Sequence, residues 1–412
     1  MKVEVLSKKE KWIAMNNGNI CTPKGFSAGG LHCGIKRKRK DLGWIYSEVP
    51  ATAAAVYTTN QFQAPPLKVS KESINTNGFL QGVIVNSGNA NSCTGKEGLQ
   101  NAYKMRQIFA DKAGIEPHNV AVISTGVIGE QLPMRKITKG VESISGLENS
   151  NDGCSFEEAI LTTDTFTKHI CLQLETENKV YTIAGAAKGS GMVHPNMATM
   201  LGFVTTDINI DPEALQQALR DVTAGTFNMI TVDGDTSTND MVLVLANGMA
   251  GNKQWTQDDD EYVLFKEGLH IVCQSLSQQI ARDGEGATKL IEVQVNGAVT
   301  THDAQVVAKT IVGSSLVKTA VFGQDPNWGR IVSAVGYSGI TINTEKIKLK
   351  IGPILIVEDG MPVSFCEEEA KSYLKNEKIE ITVDLHAGNE NATAWGCDLS
   401  YDYVRINASY RT

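Results

Sequence analysis

The sequence has 412 residues, a size beyond which one hydrophobic core usually stops growing, so two lobes or one large layered sandwich is expected. Its 42% hydrophobic and 20% charged residues are ordinary for a globular protein, and no apolar run reaches the roughly 20 residues of a membrane-spanning helix. The net charge of -8 argues against nucleic acid, because phosphate binding requires a clustered basic face. We therefore expect a protein that binds neither membranes nor nucleic acid.

The N-terminal segment and the cysteines predict a cytoplasmic protein. The segment "MKVEVLSKKEKWIAMNNGNI" has no apolar core and carries acidic residues, so it fits neither a secretory signal nor a transit peptide. The eight cysteines form no CxxC pair and no zinc spacing, which favours reduced thiols and predicts no metal site. The basic run from Lys36 to Lys40 is expected to be a solvated turn.

The first half of the chain alternates between strand and helix patterns. Residues 82–88 and 119–126 are short apolar runs that end at glycine, and both are predicted to be strands. Between them, residues 97–113 carry apolar side chains at helical spacing, and Gly114 suits the left-handed C-cap of that helix. This alternation indicates a mixed α/β protein.

The second half continues the alternation. Residues 200–207 predict a strand, and Asp211 is the expected N-cap of a helix that has Pro212 at its first position. Further strands are predicted at 240–248, 289–297, 345–352 and 378–388, and further helices at 258–282 and 367–375. Several of these strands alternate between apolar and polar residues, which predicts sheets with one exposed face.

Three polar segments approach known ligand-binding loops without matching them. The segment "GSGMVH" lacks the third glycine of a dinucleotide loop, and "DGEGATK" has its lysine after the threonine, unlike a phosphate loop. In "DGDTSTND" the glycine is misplaced for a calcium loop, which favours a polar turn. Glu285, between two glycines, is a ligand candidate. His194 fits a turn residue better than a general base, because Pro195 forces an extended backbone before it.

Thr199, in the segment "KGSGMVHPNMATML", is the candidate nucleophile. A threonine hydroxyl needs a base beside it, and its own α-amine can serve once the preceding peptide bond is cut. That amine titrates near ~8, so much of it is neutral at cellular pH. Gly189 and Gly191 supply a bend, and the small Ala198 leaves its carbonyl open to attack. The residues alone leave an ordinary strand entry open, because threonine is common in strands.

The segment "KGSGMVHPNMATML" resembles the ornithine acetyltransferase family, also called the bifunctional glutamate N-acetyltransferase or ArgJ family. The segments similar to that family, in its order, are "GFSAGGLHCGIK", "VNSGNANSCTG", "STGVIGE", "LTTDT", "TVDGDTSTND", "DGEGATK", "FGQDPNWGR" and "AWGCDLSYDYVRINASYRT". The resemblance runs from about Gly25 to the last residue. It implies an Ntn-hydrolase-like layered α/β sandwich of the DmpA/ArgJ type, with mixed sheets flanked by helices.

The resemblance also implies self-cleavage between Ala198 and Thr199. The products would be an α chain of residues 1–198, forming the N-terminal lobe, and a β chain of residues 199–412, assembled as an α2β2 heterotetramer. Thr199 would then be the acyl-accepting nucleophile, and Thr125 with Gly126 would stabilise the oxyanion. The implied substrate contacts are Thr162, Lys188, Thr199, Glu285, Asn407 and Thr412.

The implied reaction belongs to arginine biosynthesis and needs no cofactor. An acetyl group moves from N2-acetylornithine to Thr199, ornithine leaves, and glutamate takes the acetyl group in a ping-pong reaction. A cation and an anion would orient the donor, and Lys188 and Glu285 are suitable in type, with their pairing open. Use of acetyl-CoA as a second donor stays open. The alternatives are a self-processing aminopeptidase or amidase and an uncleaved binding protein.

Overall fold

The computed structural model describes residues 12–176, 179–194 and 200–409. Within these ranges the strands are β1 Ile13–Ala14, β2 Phe26–Leu31, β3 Leu42–Tyr57, β4 Phe79–Asn89, β5 Val120–Val127, β6 Lys168–Glu175, β7 Val180–Lys188, β8 Leu201–Thr206, β9 Ile230–Thr231, β10 Met241–Ala246, β11 Leu290–Ala298, β12 Lys348–Ile351, β13 Ile354–Glu358, β14 Met361–Pro362, β15 Lys378–Asp384 and β16 Glu390–Cys397.

The α-helices lie between these strands and after them. In the same described ranges they are α1 Pro65–Asn77, α2 Gly95–Ala113, α3 Met134–Glu142, α4 Gly153–Ile160, α5 Pro212–Gly225, α6 Asp260–Arg282, α7 Thr301–Gly313, α8 Ser315–Phe322, α9 Trp328–Gly336, α10 Glu367–Tyr373 and α11 Tyr401–Ser409. No helix in the part of the chain that the structure describes is long and apolar enough to cross a membrane.

The strands form two mixed sheets. The first has the order β1-β6-β7-β8-β10-β3-β4-β5, with β2 paired to β3. Its central strands β8 and β10 run parallel, with Leu201 opposite Met241, and every residue of both strands is buried. Such continuous apolar runs are expected where helices or sheets cover both faces. The second sheet has the order β14-β13-β12-β15-β11-β16-β9.

Helix α6 joins the two sheets into one layered structure. It contacts β6 and β7 of the first sheet and β16 of the second, while α7 contacts β11 and β16. The largest hydrophobic cluster correspondingly runs from the first sheet through α5, α6 and α7 to the second sheet. The predicted fold class, a mixed α/β protein with mixed sheets flanked by helices, is confirmed.

The strongest local signals in the sequence have the predicted form. Gly114 ends α2 with a φ of 68°, a left-handed conformation that glycine adopts without a steric penalty. The side chain of Asp211 accepts hydrogen bonds from the backbone N–H groups of Glu213 and Ala214 and so caps α5. The solvated turn predicted around Lys36 is only partly observed, because the Lys36 Nζ donates to the Leu161 carbonyl oxygen over 2.8 Å. Burial lowers the pKa of this lysine to about 8.

The first sheet contains strands from both sides of the predicted cleavage position. Strands β8 and β10, which follow residue 199, lie between β7 and β3, which precede it. The N-terminal segment up to residue 198 therefore does not form a sheet of its own. If the chain is cut at 198/199, the two pieces stay joined by backbone hydrogen bonds and by the hydrophobic core.

Candidate active site

A cavity lies at one end of the strands of the first sheet, where β5 and β7 end and β8 and β10 begin. Six of the residues predicted from the sequence line it: Thr125, Gly126, Thr162, Lys188, Glu285 and Asn407. These residues are distributed over almost the whole chain, and only the fold brings them together. The other three predicted site residues, Ala198, Thr199 and Thr412, lie outside the described residues.

The end of β5 presents Thr125 and Gly126 to the cavity. Gly126 has a φ of +135°, and a Cβ atom there would lie 2.3 Å from the carbonyl carbon of Gly88. Only glycine fits this position, because the obstacle is backbone of the neighbouring strand. The irregular pairing between β4 and β5 at Gly88 and Asn89 accompanies this conformation. The predicted oxyanion residues therefore occupy a bend that the sheet itself holds in place.

Lys188 is the last residue of β7 and lies almost fully buried beside Thr125. Its Nζ donates to the Thr125 Oγ over 3.4 Å, and 9% of the residue is exposed. An ammonium has donors only, so this contact uses a lone pair of the hydroxyl and leaves the hydroxyl proton free. In the sheet, Lys188 pairs with Leu201 at the start of β8. The cation thus lies at the N-terminal end of the strand that begins just after Thr199.

A buried ion cluster binds the backbone of two segments that line the cavity. The Lys168 Nζ lies 2.7 Å from a carboxylate oxygen of Asp164 and 2.5 Å from one of Asp283. Asp164 also accepts the backbone N–H groups of Thr162 and Gly189, over 2.9 and 2.7 Å. Burial alone would raise the pKa of Asp164, but the charges of Lys168 and Lys188 hold it well below its usual range. The cluster therefore fixes the backbone on which Thr162 and Lys188 are placed.

Glu285 enters the cavity from the turn that follows α6. Its backbone N–H donates to the Ser190 carbonyl oxygen over 3.0 Å, and its carboxylate accepts from the Asn407 Nδ2 over 2.8 Å. A Cβ atom at Gly191 would lie 2.4 Å from the Glu285 carboxyl carbon. Gly191 was predicted to supply a bend; the structure shows that it also leaves room for this carboxylate. Asn407, on α11, orients Glu285 in the described structure.

The segment 233–240 is the part of the site that sequence reasoning missed. Predicted only as a polar turn, it lines the cavity with residues that include Asp233, Asn239 and Asp240. Asp233 accepts the backbone N–H groups of Met192 and Val193, over 2.7 and 2.9 Å. The available signal was a dense run of Asp, Ser, Thr and Asn directly before a buried strand. Across the described ranges, no group of three or more His, Cys, Asp or Glu side chains could hold a metal ion.

His194 is near the cavity but is bound to a hydroxyl. Its Nδ1 lies 2.9 Å from the Thr231 Oγ. Burial, with the nearby charge of Lys309, lowers the pKa of the imidazole to about 4. The ring is therefore neutral at cellular pH.

Comparisons with known proteins agree on one family. Residues 27–412 match the profile of the ArgJ family. The chain is 56% identical over 411 residues to the arginine biosynthesis bifunctional protein ArgJ of Halalkalibacterium halodurans, with 100% of both sequences covered. It is 55% identical over 398 residues to the protein of the same name from Oceanobacillus iheyensis, with 97% of each covered. The crystal structure of argJ from Bacillus halodurans is 57% identical, with a TM-score of 0.50, and the match covers 50% of this chain and 98% of that chain.

Proposed function

The chain belongs to the ArgJ family of arginine-biosynthesis acetyltransferases, and from this premise we propose that the cavity transfers an acetyl group from N2-acetylornithine to glutamate through Thr199. The single observation that carries the proposal is the position of the start of β8. The Met241 N–H donates to the Met200 carbonyl oxygen over 3.0 Å, so Met200 is held where β8 enters the cavity. Thr199 is the residue that immediately precedes Met200 and is bonded to it.

We propose that Thr199 becomes reactive by cleavage of the Ala198–Thr199 bond. The Thr199 hydroxyl attacks the Ala198 carbonyl carbon, and the C–N bond breaks to leave an ester between Ala198 and the Thr199 oxygen, with the hydroxyl proton passing to the released nitrogen. Water then hydrolyses this ester, which frees the Ala198 carboxylate, the Thr199 hydroxyl and the α-amine that is the base for later steps. The comparisons support a divided chain. The curated relative matches over its whole length, whereas the chain in the solved structure is covered to 98% while spanning 50% of this chain. A polypeptide cut near its middle would give this pattern.

In the proposed reaction, the Thr199 hydroxyl attacks the acetyl carbonyl carbon of N2-acetylornithine and passes its proton to the α-amine. The oxyanion that forms would accept hydrogen bonds from the Thr125 hydroxyl and the Gly126 N–H, each worth roughly 3 kcal/mol in the transition state. The tetrahedral intermediate expels ornithine, whose nitrogen takes the proton. The amine of glutamate then attacks the acetyl-Thr199 ester by the reverse sequence. Lys188 and Glu285 offer one cation and one anion for binding the amino acids.

The purified wild-type enzyme is expected to contain two polypeptides with a break at 198/199 and to carry an acetyl group on Thr199 after exposure to N2-acetylornithine alone. Intact-mass spectrometry measures both features. Initial rates with N2-acetylornithine and glutamate varied together should give the parallel double-reciprocal lines of a ping-pong reaction. Release of acetate at the same rate with and without glutamate would instead support the aminopeptidase or amidase alternative. Replacing N2-acetylornithine by acetyl-CoA in this assay decides whether the thioester is a second donor.

The assembly and location of the enzyme are further parts of this proposal. The first sheet combines strands from both proposed pieces, which supports an α chain and a β chain that remain associated. We propose that two such pairs form the α2β2 heterotetramer implied by the family resemblance. The eight cysteines are unpaired, which supports a reducing compartment such as the cytoplasm.

The Thr125→Ala variant is expected to lower kcat for acetyl transfer by about 10²- to 10³-fold. The substitution removes the Thr125 hydroxyl, whose proton is not used in the contact with Lys188, and it leaves the backbone of β5 unchanged. Thr125→Ser is the matched control, because it keeps a hydroxyl on the same atom, and it should stay within about tenfold of wild type. Steady-state kinetics on fully cleaved enzyme measure the effect. A kcat for Thr125→Ala equal to that of wild type would exclude Thr125 from the oxyanion site.

A further inference from the structure

Asp240 is a buried carboxyl group with an unused acceptor in the cavity. The residue is 4% exposed and lines the cavity directly before β10. Its Oδ2 atom has no hydrogen-bond partner among the described residues. Buried polar atoms in native proteins are nearly always paired, so an unpaired oxygen at a cavity wall indicates a missing ligand.

Three neighbouring carboxylates each accept at least one hydrogen bond from the protein. The Glu285 carboxylate accepts from Asn407, and Asp233 accepts two backbone N–H groups. Asp164 is bound to the Lys168 ammonium inside the ion cluster. Asp240 differs from these three residues in having a fully buried oxygen with no hydrogen-bond partner among the described residues.

Asp240 and Lys188 lie on opposite sides of the start of β8. Leu201 pairs with Lys188 of β7 on one side and with Met241, the residue after Asp240, on the other. Neighbouring strands are about 4.8 Å apart, so the two backbones are separated by about 10 Å. Both side chains reach the same cavity, which places a cation and a carboxyl group at a distance that one amino acid can bridge.

The burial of Asp240 makes its ionisation dependent on a nearby positive charge. Burial raises its pKa well above the usual value, and hydrogen bonding with Ser237 and the charge of Lys188 offset only part of this effect. Burial therefore disfavours the ionised form of this carboxyl when the cavity holds no positive ligand. An ammonium group beside it would favour the ionised form, since an opposite charge within a few ångströms stabilises a carboxylate.

We propose that Asp240 binds the α-amino group of the amino acid at the acyl-transfer position, opposite Lys188, which binds the α-carboxylate. This inference rests on the proposed function, in which that α-nitrogen gives up the acetyl group in one half-reaction and receives it in the other. Asp240 would thus hold the reacting nitrogen of ornithine and of glutamate. It would also discriminate against carboxylic acids that lack an α-amine.

The test compares two ligands that differ only in the α-amine, ornithine and 5-aminopentanoate. Without an acetyl donor neither reacts, so calorimetric titration of the cleaved enzyme reports binding alone. Wild type should bind ornithine at least about tenfold more tightly, as expected for a buried charge-assisted hydrogen bond. Asp240→Asn keeps the shape of the side chain but removes its charge, and the ratio should fall below about threefold. The pair of ligands and the pair of enzymes form a double-mutant cycle that isolates this contact.

Asp359→Asn is the matched control. It removes the same charge from an exposed residue between β13 and β14 that does not line the cavity, and its ornithine preference should equal that of wild type. An Asp240→Asn enzyme that keeps the full preference would overturn the inference. If that variant fails to fold or to cleave, the wild type alone still tests the idea, because a preference below about threefold in wild type contradicts it. A wild-type enzyme that transfers acetyl groups but does not prefer ornithine over 5-aminopentanoate would refute the role of Asp240. The proposed function would still stand.

Discussion

Replacing Thr199 by alanine is expected to leave the chain whole and to abolish acetyl transfer. Alanine has no hydroxyl to attack the Ala198 carbonyl, so neither the new terminus nor the α-amine base is produced. The same substitution removes the acyl-accepting oxygen. Because the variant loses nucleophile and base together, the rate of acetyl transfer should fall by about 10⁴-fold or more. Intact-mass spectrometry and the N2-acetylornithine assay measure the two effects on one preparation.

Thr199→Ser is the control for this prediction. Serine supplies both a hydroxyl and, after cleavage, an α-amine, so it should cleave and transfer acetyl groups at reduced rates. It lacks the β-methyl group that restricts the orientation of a threonine hydroxyl. An uncut wild-type chain with full transferase activity would show that some other group is the base. An active Thr199→Ala enzyme would show that the nucleophile lies elsewhere.

Local structure was predictable where a few adjacent residues determine it. The cap of α5 depends on Asp211 and Pro212, and the end of α2 depends on the left-handed Gly114, so neighbouring residues alone carry those signals. The long strand β3, which contains Pro50, was not predicted. It crosses an irregular stretch of pairing between Tyr46 and Ala51, and a proline is tolerated where ladder hydrogen bonds are interrupted.

The site was predictable only to the extent that short motifs mark it. Segments around Thr125, Lys188 and Glu285 carry the family resemblance, and the structure places all three at one cavity. The roles of Lys168 and Asp240 are different in kind. The ion cluster joins Lys168 to Asp283 across 115 positions, and the unused oxygen of Asp240 is a property of burial. No local pattern contains either fact, because both depend on which distant segments the sheet brings together.

Lys168→Met is expected to destabilise the protein by about 3–5 kcal/mol. Lys168 is fully buried, and its ammonium neutralises the carboxylates of Asp164 and Asp283, which are also buried. A methionine fills similar volume but removes the ion-pair partner of Asp283 and leaves Asp164 with only the charge of Lys188. The apparent free energy of unfolding, obtained from denaturant titration, measures the loss. Lys266→Met is the matched control: its partner Asp221 is partly exposed, so the change should be about 0.5 kcal/mol or less.

The pH dependence of this difference follows from the pKa of Asp164. Burial opposes ionisation of this carboxyl, but Lys168 and Lys188 together hold its folded pKa well below the unfolded value of about 3.9. A depressed folded pKa contributes stability that is present above the unfolded pKa and is lost as the pH falls below it. The gap between wild type and Lys168→Met should therefore be full near pH 7 and shrink below about pH 4. A gap that stays constant over this range would mean that lost packing, and not the buried charge, causes the destabilisation.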